Sequence, residues 1–246
     1  MDGILHLLAL GAIFLAAGAV KGLAGFGLPT LGMGLLALSM APAEAAALLL
    51  APSFVSNIWQ LAEGGGVRAL ARRLWPMLLA ALVATPLAVG LMTGAGAGTA
   101  ARGLGAMLAV YALLGLFRVR LDVPRRAEGW AGPLVGAVTG ALTGATGVFV
   151  VPAGPYLAGL GLDRDRLVQA MGLSFTVSTV GLGIGLALRG AVEPGGLGAS
   201  LLAVAPALLG MWLGGRLRRR IPQEAFRIGF MIALLLLGGH IALTAG

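Results

Sequence analysis

Long apolar runs follow one another along the whole chain, and short polar stretches separate them. Most runs approach the roughly 17 to 25 residues that an α-helix needs to cross about 30 Å of hydrocarbon. Because lipid cannot satisfy the unpaired edges of an open sheet, we expect every run to be helical. The predicted segments are 3–20, 22–40, 43–62, 74–93, 101–117, 130–146, 148–162, 167–188, 197–215 and 224–244.

Composition supports the same fold class. Hydrophobic residues make up 59% of the chain and charged residues 11%, which leaves too little polar material to cover a soluble protein. The sequence therefore predicts an all-α polytopic membrane protein with a single membrane domain, 1–246. It has no cysteine, its two histidines have no metal-ligand spacing, and no nucleophile–base pair or pair of carboxylates is evident. We expect neither an enzyme nor a cofactor or metal site.

The arginines indicate how the chain is oriented. Fourteen of them follow odd-numbered segments, and only Arg102 and Arg189 lie in the other loops. The positive-inside rule then places the odd loops in the cytoplasm and both termini outside. It also explains the net charge of +8 without nucleic acid, because the arginines lie in short loops with no interleaved aromatic residues. The expected surroundings are membrane lipid, and a homo-oligomer is left open.

A glycine pattern occurs twice and divides the chain into halves. Gly18, Gly22, Gly25 and Pro29 recur as Gly140, Gly144, Gly147 and Pro152; Ser53-Phe54 recurs as Ser174-Phe175, and Arg102 as Arg227. Each half holds five segments, and an odd number reverses the direction of the second copy. This pattern is typical of inverted-repeat transporters. We assign the first repeat to 1–118, a basic cytoplasmic linker to 119–129 and the second repeat to 130–246.

The glycine-rich segments are short for two crossings each. As helix, 130–162 is about 50 Å long, less than two crossings of about 30 Å, and 3–40 is also marginal. We therefore expect two broken or re-entrant hairpins that enter from opposite faces, with their tips meeting near the midplane. Glycines spaced by four are also typical of helix-packing faces, and that alternative stays open.

Broken helices suggest an anion site. A helix that restarts inside the membrane presents free N–H groups and the positive end of its dipole, and glycine lets an oxyanion approach the backbone. Lys21, the only lysine, adds a charge at the first tip, and polar faces on the third and eighth segments line the path. The candidate substrate-binding residues are Lys21, Gly22, Gly25, Gly27, Ser53, Asn57, Thr143, Gly144, Thr146, Gly147, Ser174 and Ser178.

Each of these roles has a simpler alternative. Lys21 at a helix end is also placed to snorkel to the headgroups or to cap its helix. Serine and threonine hydroxyls in membrane helices often bond to their own helix or to a neighbouring one.

The duplicated Gly-x-x-x-Gly-x-x-Gly pattern followed by proline, the serine-bearing helix after each copy and the chain length resemble the TauE/SafE sulfite exporter family, also called TSUP. The resemblance implies export, or less often uptake, of small sulfur-containing anions such as sulfite or organosulfonates across the bacterial inner membrane. With no nucleotide-binding loop in the sequence, we expect a secondary transporter that works by alternating access between its halves. A channel-like pore for small anions is the alternative.

Overall fold

The computed structural model describes residues 2–62, 65–93, 96–119, 121–192, 194–218 and 220–245. Within them the chain forms ten α-helices and one turn of 3-10 helix at Val89–Leu91, and no strand. The helices are α1 (Asp2–Ala24), α2 (Leu28–Leu36), α3 (Pro42–Ala62), α4 (Val67–Ala88), α5 (Ala97–Leu116), α6 (Arg125–Thr146), α7 (Ala153–Ala158), α8 (Arg164–Leu188), α9 (Pro194–Leu217) and α10 (Gln223–Thr244). Each predicted segment corresponds to one helix, which confirms the all-α prediction.

Among the described residues, seven helices are long and apolar enough to cross a membrane: α1, α3, α4, α5, α8, α9 and α10. The chain is therefore a multi-pass membrane protein. The three others are the nine-residue α2, the six-residue α7 and α6, which is long enough in residues but rich in glycine and threonine.

Two helices begin earlier than the apolar pattern predicted. α4 begins at Val67 and α6 at Arg125, so both include arginines in or near their first turn. Arginine tolerates such positions because its stem lies along the helix while the guanidinium stays at the polar end. With 22 residues, α6 is about 33 Å long and reaches the length of a full crossing.

The two glycine-rich hairpins thus differ from the prediction in their arms. Each consists of one long helix, α1 or α6, and a short return segment that contains α2 or α7. The length argument counted the charged first turn of α6 as linker, so it underestimated the length of this arm.

The ends of the two long helices also lie far apart. Gly25, just after α1, lies near Val168 because the Gln60 side chain donates to both of their carbonyls. Near the end of α6, Gly144 packs on Thr85, as does Gly181 of α8. Val168 and Gly181 are separated by about 20 Å along α8, at about 1.5 Å per residue.

The two long helices therefore end at different positions along α8, but the breaks that follow them are adjacent, because Pro29, Gly147 and Phe149 line one small cavity. A Cβ on Gly147 would lie 2.7 Å from the Met33 side chain of α2, so the second break packs directly on the first return helix.

Glycines bring the long helices of the hairpins into contact with their neighbours. A Cβ on Gly18 or Gly22 would lie under 3.0 Å from backbone atoms of α9, and Gly140 and Gly144 are equally tight against α4. Among the described helices, α1 with α9 and α4 with α6 are the most extensively packed pairs. The helical glycines of both copies therefore act as packing residues, the alternative that the sequence left open.

Helices that correspond in the two halves pack against each other. α3 lies on α8, and α5 lies on α10. In the first pair Gln60 is near Val168 while Leu50 is near Gly183, so later residues of α3 meet earlier residues of α8. The two helices run antiparallel, which is the relation that an inverted repeat requires of its counterparts.

The repeated arginines of α5 and α10 join the ends of that second pair. Arg102, in the first turns of α5, donates through Nε to the Ala245 carbonyl at the end of α10, at 2.5 Å. Arg227, near the start of α10, donates to the Gly115 carbonyl at the end of α5. Each cation thus satisfies a carbonyl at the negative end of the partner helix, and α5 and α10 are antiparallel as well.

The close contact of α1 and α9 leads to a stability prediction. Gly18→Ala places a methyl group against the α9 backbone, so we expect a loss of about 1–3 kcal/mol of stability. A chain of this size should then melt roughly 2–10 °C lower in detergent. Gly11→Ala is the matched control, because a Cβ there meets nothing within 4 Å in the same helix. Equal melting temperatures for the two variants would contradict this packing.

Candidate functional site

Lys21 lies in the last turn of α1 and points into the protein. It is only 2% exposed. Its ammonium donates to the Ser56 hydroxyl at 3.0 Å and to the side-chain oxygen of Asn57. Burial excludes the alternative in which this side chain snorkels to the headgroups. Both observed partners are neutral, and no described Asp or Glu lies within ion-pair distance of Lys21.

The position of Lys21 follows from the helix that carries it. Gly22, the next residue, faces α9, and successive helical residues are turned by about 100°. Lys21 therefore faces away from that contact and toward α3. One turn further along α3, the Gln60 amide donates to the carbonyls of Gly25 at 2.8 Å and Val168 at 3.0 Å. The end of α1, the end of α3 and the start of α8 are thus tied together beside the lysine.

Asn57 connects the lysine to α8. Its amide nitrogen donates to the Thr179 hydroxyl at 3.4 Å, while its oxygen accepts from Lys21. Thr179 in turn donates to the carbonyl of Phe175 at 2.7 Å. The Asn57 amide is therefore oriented from both sides, with its acceptor toward the cation. Of the four polar residues in this network, the candidate substrate-binding residues included Lys21 and Asn57, whereas Ser56 and Thr179 were predicted only as members of the polar faces on the third and eighth segments.

The predicted serines are buried near this network without hydrogen bonds. The hydroxyl oxygens of Ser53, Ser174 and Ser178 have no protein partner. The side-chain oxygens of Gln60 and Gln169 are also buried and unpartnered. An unsatisfied buried polar group costs about 1–3 kcal/mol, so these atoms are where a water molecule or a polar ligand would be stabilised.

The second break behaves differently from the first. Thr143 occupies the repeat position of Lys21, but its hydroxyl donates to Thr139 of its own helix at 2.7 Å. Thr146 donates to the Leu142 carbonyl at 2.7 Å and accepts from the amide of Val148 at 3.3 Å. Both hydroxyls therefore satisfy the local backbone, the simpler alternative considered for these residues.

The remaining predicted glycines have conformational roles. Gly25, Gly27 and Gly147 have φ of 83°, 117° and 73°, in the left-handed region that favours glycine. Gly25 and Gly147 allow α1 and α6 to end, and Gly27 precedes α2. Among the predicted glycines, Gly22 and Gly25 also line the cavity beside Lys21.

A cavity of about 380 Å³ lies against Lys21. Its inner part is formed by buried residues, including Lys21 and Gln60, and its outer part by Arg216, Trp59 and Trp212, which are exposed. Arg218 also lines it, so three cationic side chains surround one space, and the lining residues that the structure describes include no carboxylate. Sequence reasoning missed both arginines because their run was attributed to membrane orientation alone.

The space between the two breaks is closed. Pro29, Ser53, Gly147 and Phe149 surround a cavity of only about 10 Å³, which holds at most about one water molecule. The open cavity that Lys21 lines therefore lies at the end of α1, beside the first break.

A larger cavity of about 500 Å³ lies beside α5, α7 and α10. Its arginines, Arg118 and Arg227, are both paired with Glu224. Most of its other lining residues are apolar. The pairing reduces its attraction for an anion, so the cavity beside Lys21 is the better candidate.

The dependence of the buried ammonium on Asn57 can be measured. Asn57→Leu removes one of its acceptors, so we expect a loss of about 1–3 kcal/mol. In a Lys21→Met background the same substitution should cost about 1–2 kcal/mol less, because no charge is left to satisfy. The free energy of unfolding in detergent is measured for the wild type, the two single variants and the double variant, which together form a double-mutant cycle.

The matched control is Ser178→Ala at the repeat position of Asn57, which removes an unpartnered hydroxyl. It should show no such coupling to Lys21. Equal costs of Asn57→Leu in both backgrounds would show that Asn57 does not support the ammonium.

Comparison with known proteins agrees with the architecture. The model of the family described as "Sulfite exporter TauE/SafE" matches residues 10–241, nearly the whole chain. A search of curated proteins and a search of solved structures each gave no match. The family is one of membrane transporters, in keeping with the seven helices that are suited to cross a bilayer. The chain therefore belongs to the TauE/SafE sulfite exporter family.

Proposed function

We propose that this chain is a secondary transporter that exports a small sulfur-containing anion, such as sulfite or an organosulfonate, across the bacterial inner membrane. The observation that carries the proposal is the Lys21 ammonium, which is buried, has the neutral Ser56 and Asn57 as its described hydrogen-bond partners, and lies next to an open cavity. Ionisable groups within membrane segments are costly and usually mark the path of a substrate.

Charge balance explains why an anion would bind there. Neutral acceptors orient an ammonium but do not cancel its charge, and the charge lies in a poorly hydrated interior. An ammonium has three N–H donors, and the protein accepts two hydrogen bonds from Lys21. An oxyanion in the cavity would accept the third and supply the missing negative charge. The unpartnered buried hydroxyls of α3 and α8 offer further donors.

Alternating access is supported by the arrangement of the halves. Counterpart helices α3 and α8 pack antiparallel, as expected for inverted repeats that rock against each other. The cavity at the end of α1 is open, while the space between the breaks is closed. By the positive-inside assignment, which also places both termini outside, the open cavity faces the cytoplasm. An exporter would load its substrate from that side.

Transport by purified protein in liposomes tests the role of Lys21. Lys21→Met keeps a side chain of similar length without the charge, and we expect at least a 10-fold loss of saturable sulfite transport and of sulfite-dependent thermal stabilisation. Arg102→Gln is the control: it removes a cation that binds the Ala245 carbonyl, remote from the cavity. Unchanged transport in Lys21→Met, with normal folding, would refute the assignment.

The same liposomes separate a carrier from a pore. A carrier shows saturable counterflow, because loaded substrate on one side accelerates exchange from the other. A pore shows single-channel currents and no counterflow. Currents in the wild-type protein would refute alternating access while leaving the Lys21 site intact.

A further inference from the structure

We infer that Arg216, stacked on Trp212, forms a second anion-binding subsite at the mouth of the cavity, where the substrate is captured before it reaches Lys21. The inference rests on the proposed function and adds a step to it. Arg216 and Lys21 line the same cavity, but Arg216 is exposed whereas Lys21 is 2% exposed. An anion that enters from solvent therefore meets the arginine first.

The guanidinium is held in place by an aromatic ring. The Cζ atom of Arg216 lies 3.6 Å from the centroid of the Trp212 ring. Such cation–π stacking contributes about 0.5–2 kcal/mol and leaves the in-plane N–H donors of arginine available. A planar fork with free edges is suited to two oxygens of a sulfonate, sulfite or similar oxyanion. The ring thus preorganises the donor without neutralising it.

Several other arginines are neutralised by carboxylates. Arg73 binds Glu128 through two hydrogen bonds of 2.6 and 2.7 Å. Glu224 pairs with both Arg118 and Arg227. In contrast, no carboxylate is among the described residues that line the cavity containing Arg216. If its only task were to orient the protein in the membrane, Arg216 would need neither a ring beneath it nor a cavity in front of it.

An entering anion would meet Arg216 first and Lys21 second, and this order has a kinetic consequence. Charge at a concave mouth raises the local concentration of an anion and the rate of capture, and salt screens this effect. Charge at the buried end determines how tightly the anion is finally held. Arg216 should therefore control the apparent KM on the cavity side, whereas Lys21 should control binding itself.

Everted and right-side-out membrane vesicles test the inference, because they expose opposite faces of the transporter. The probe is sulfite, with initial rates measured over a concentration series at low and high ionic strength. For Arg216→Gln we expect KM at the cavity face to rise about 10-fold at low ionic strength. The maximal rate, and the KM at the opposite face, should stay as in the wild type. The salt dependence of KM should largely disappear.

Two further variants separate capture from general effects of charge. Trp212→Leu should shift KM in the same direction by a smaller factor, because the guanidinium remains but is no longer held. Arg220→Gln removes an exposed arginine from the same loop, outside the residues that line the cavity, and should leave KM unchanged. Melting temperatures of the variants check that folding is retained.

The outcomes distinguish the two proposals. If Arg216→Gln behaves like Arg220→Gln, changes both faces equally or lowers only the maximal rate, the mouth subsite is refuted. The proposed function then stands as long as Lys21→Met abolishes sulfite binding. If the wild-type protein neither binds nor transports any sulfur oxyanion, the proposed function fails and the capture step fails with it.

Discussion

The structure depends on one buried charge. An ammonium inside an apolar membrane protein must find acceptors, and Lys21 finds them in Ser56 and Asn57 of α3. This contact links α1, which packs mainly on α9, to α3. Through Asn57 and Thr179 it extends to α8, and Gln60 secures the same three elements by bonding to Gly25 and Val168. The network accepts two of the three N–H donors of a protonated Lys21, and no described carboxylate balances its charge in this buried position.

The glycines make this arrangement possible in two ways. Within α1 and α6 they remove side chains that would keep α9 and α4 apart, because a Cβ at Gly22 or Gly144 would overlap the neighbouring backbone. After the helices they allow a left-handed turn, as at Gly25 and Gly147. The repeated pattern therefore encodes a close helix pair followed by an abrupt end, twice. In both copies the helical glycines are packed against a neighbouring helix. A binding role therefore falls to the neighbouring residues, such as Lys21.

Much of the fold could be predicted because it follows from local patterns. Apolar runs located all ten helices, and the matching glycines identified corresponding elements. The lengths of the hairpin arms could not be obtained this way. Arg125, Arg126 and Glu128 look like a linker, yet they form the first turn of α6, since long charged side chains can extend to the polar boundary from inside a helix.

Some site residues could be predicted because a polar residue in an apolar run is conspicuous in the sequence. Contacts between segments that are distant in the sequence could not be predicted. Lys21 and Asn57 attracted attention as polar residues in apolar surroundings. Their contact depends on the register between α1 and α3, which a single sequence does not contain. Arg216 was hidden for another reason: an arginine that faces a cavity and one that faces headgroups look alike in sequence. Only the cavity and the ring of Trp212 distinguish it.

The two halves of the chain carry matching glycines and serines, but they differ in chemistry at one matching position. At matching positions one carries Lys21 and the other Thr143, whose hydroxyl is bonded to its own helix. A carrier has a physical reason for this asymmetry. Its site must hold the substrate firmly enough to select it and loosely enough to release it on the other side. A second buried cation would bind the anion more tightly and slow its release. With one buried charge and a preorganised arginine outside it, the proposed pathway attracts an anion in steps, and no single step is so favourable that the anion is trapped.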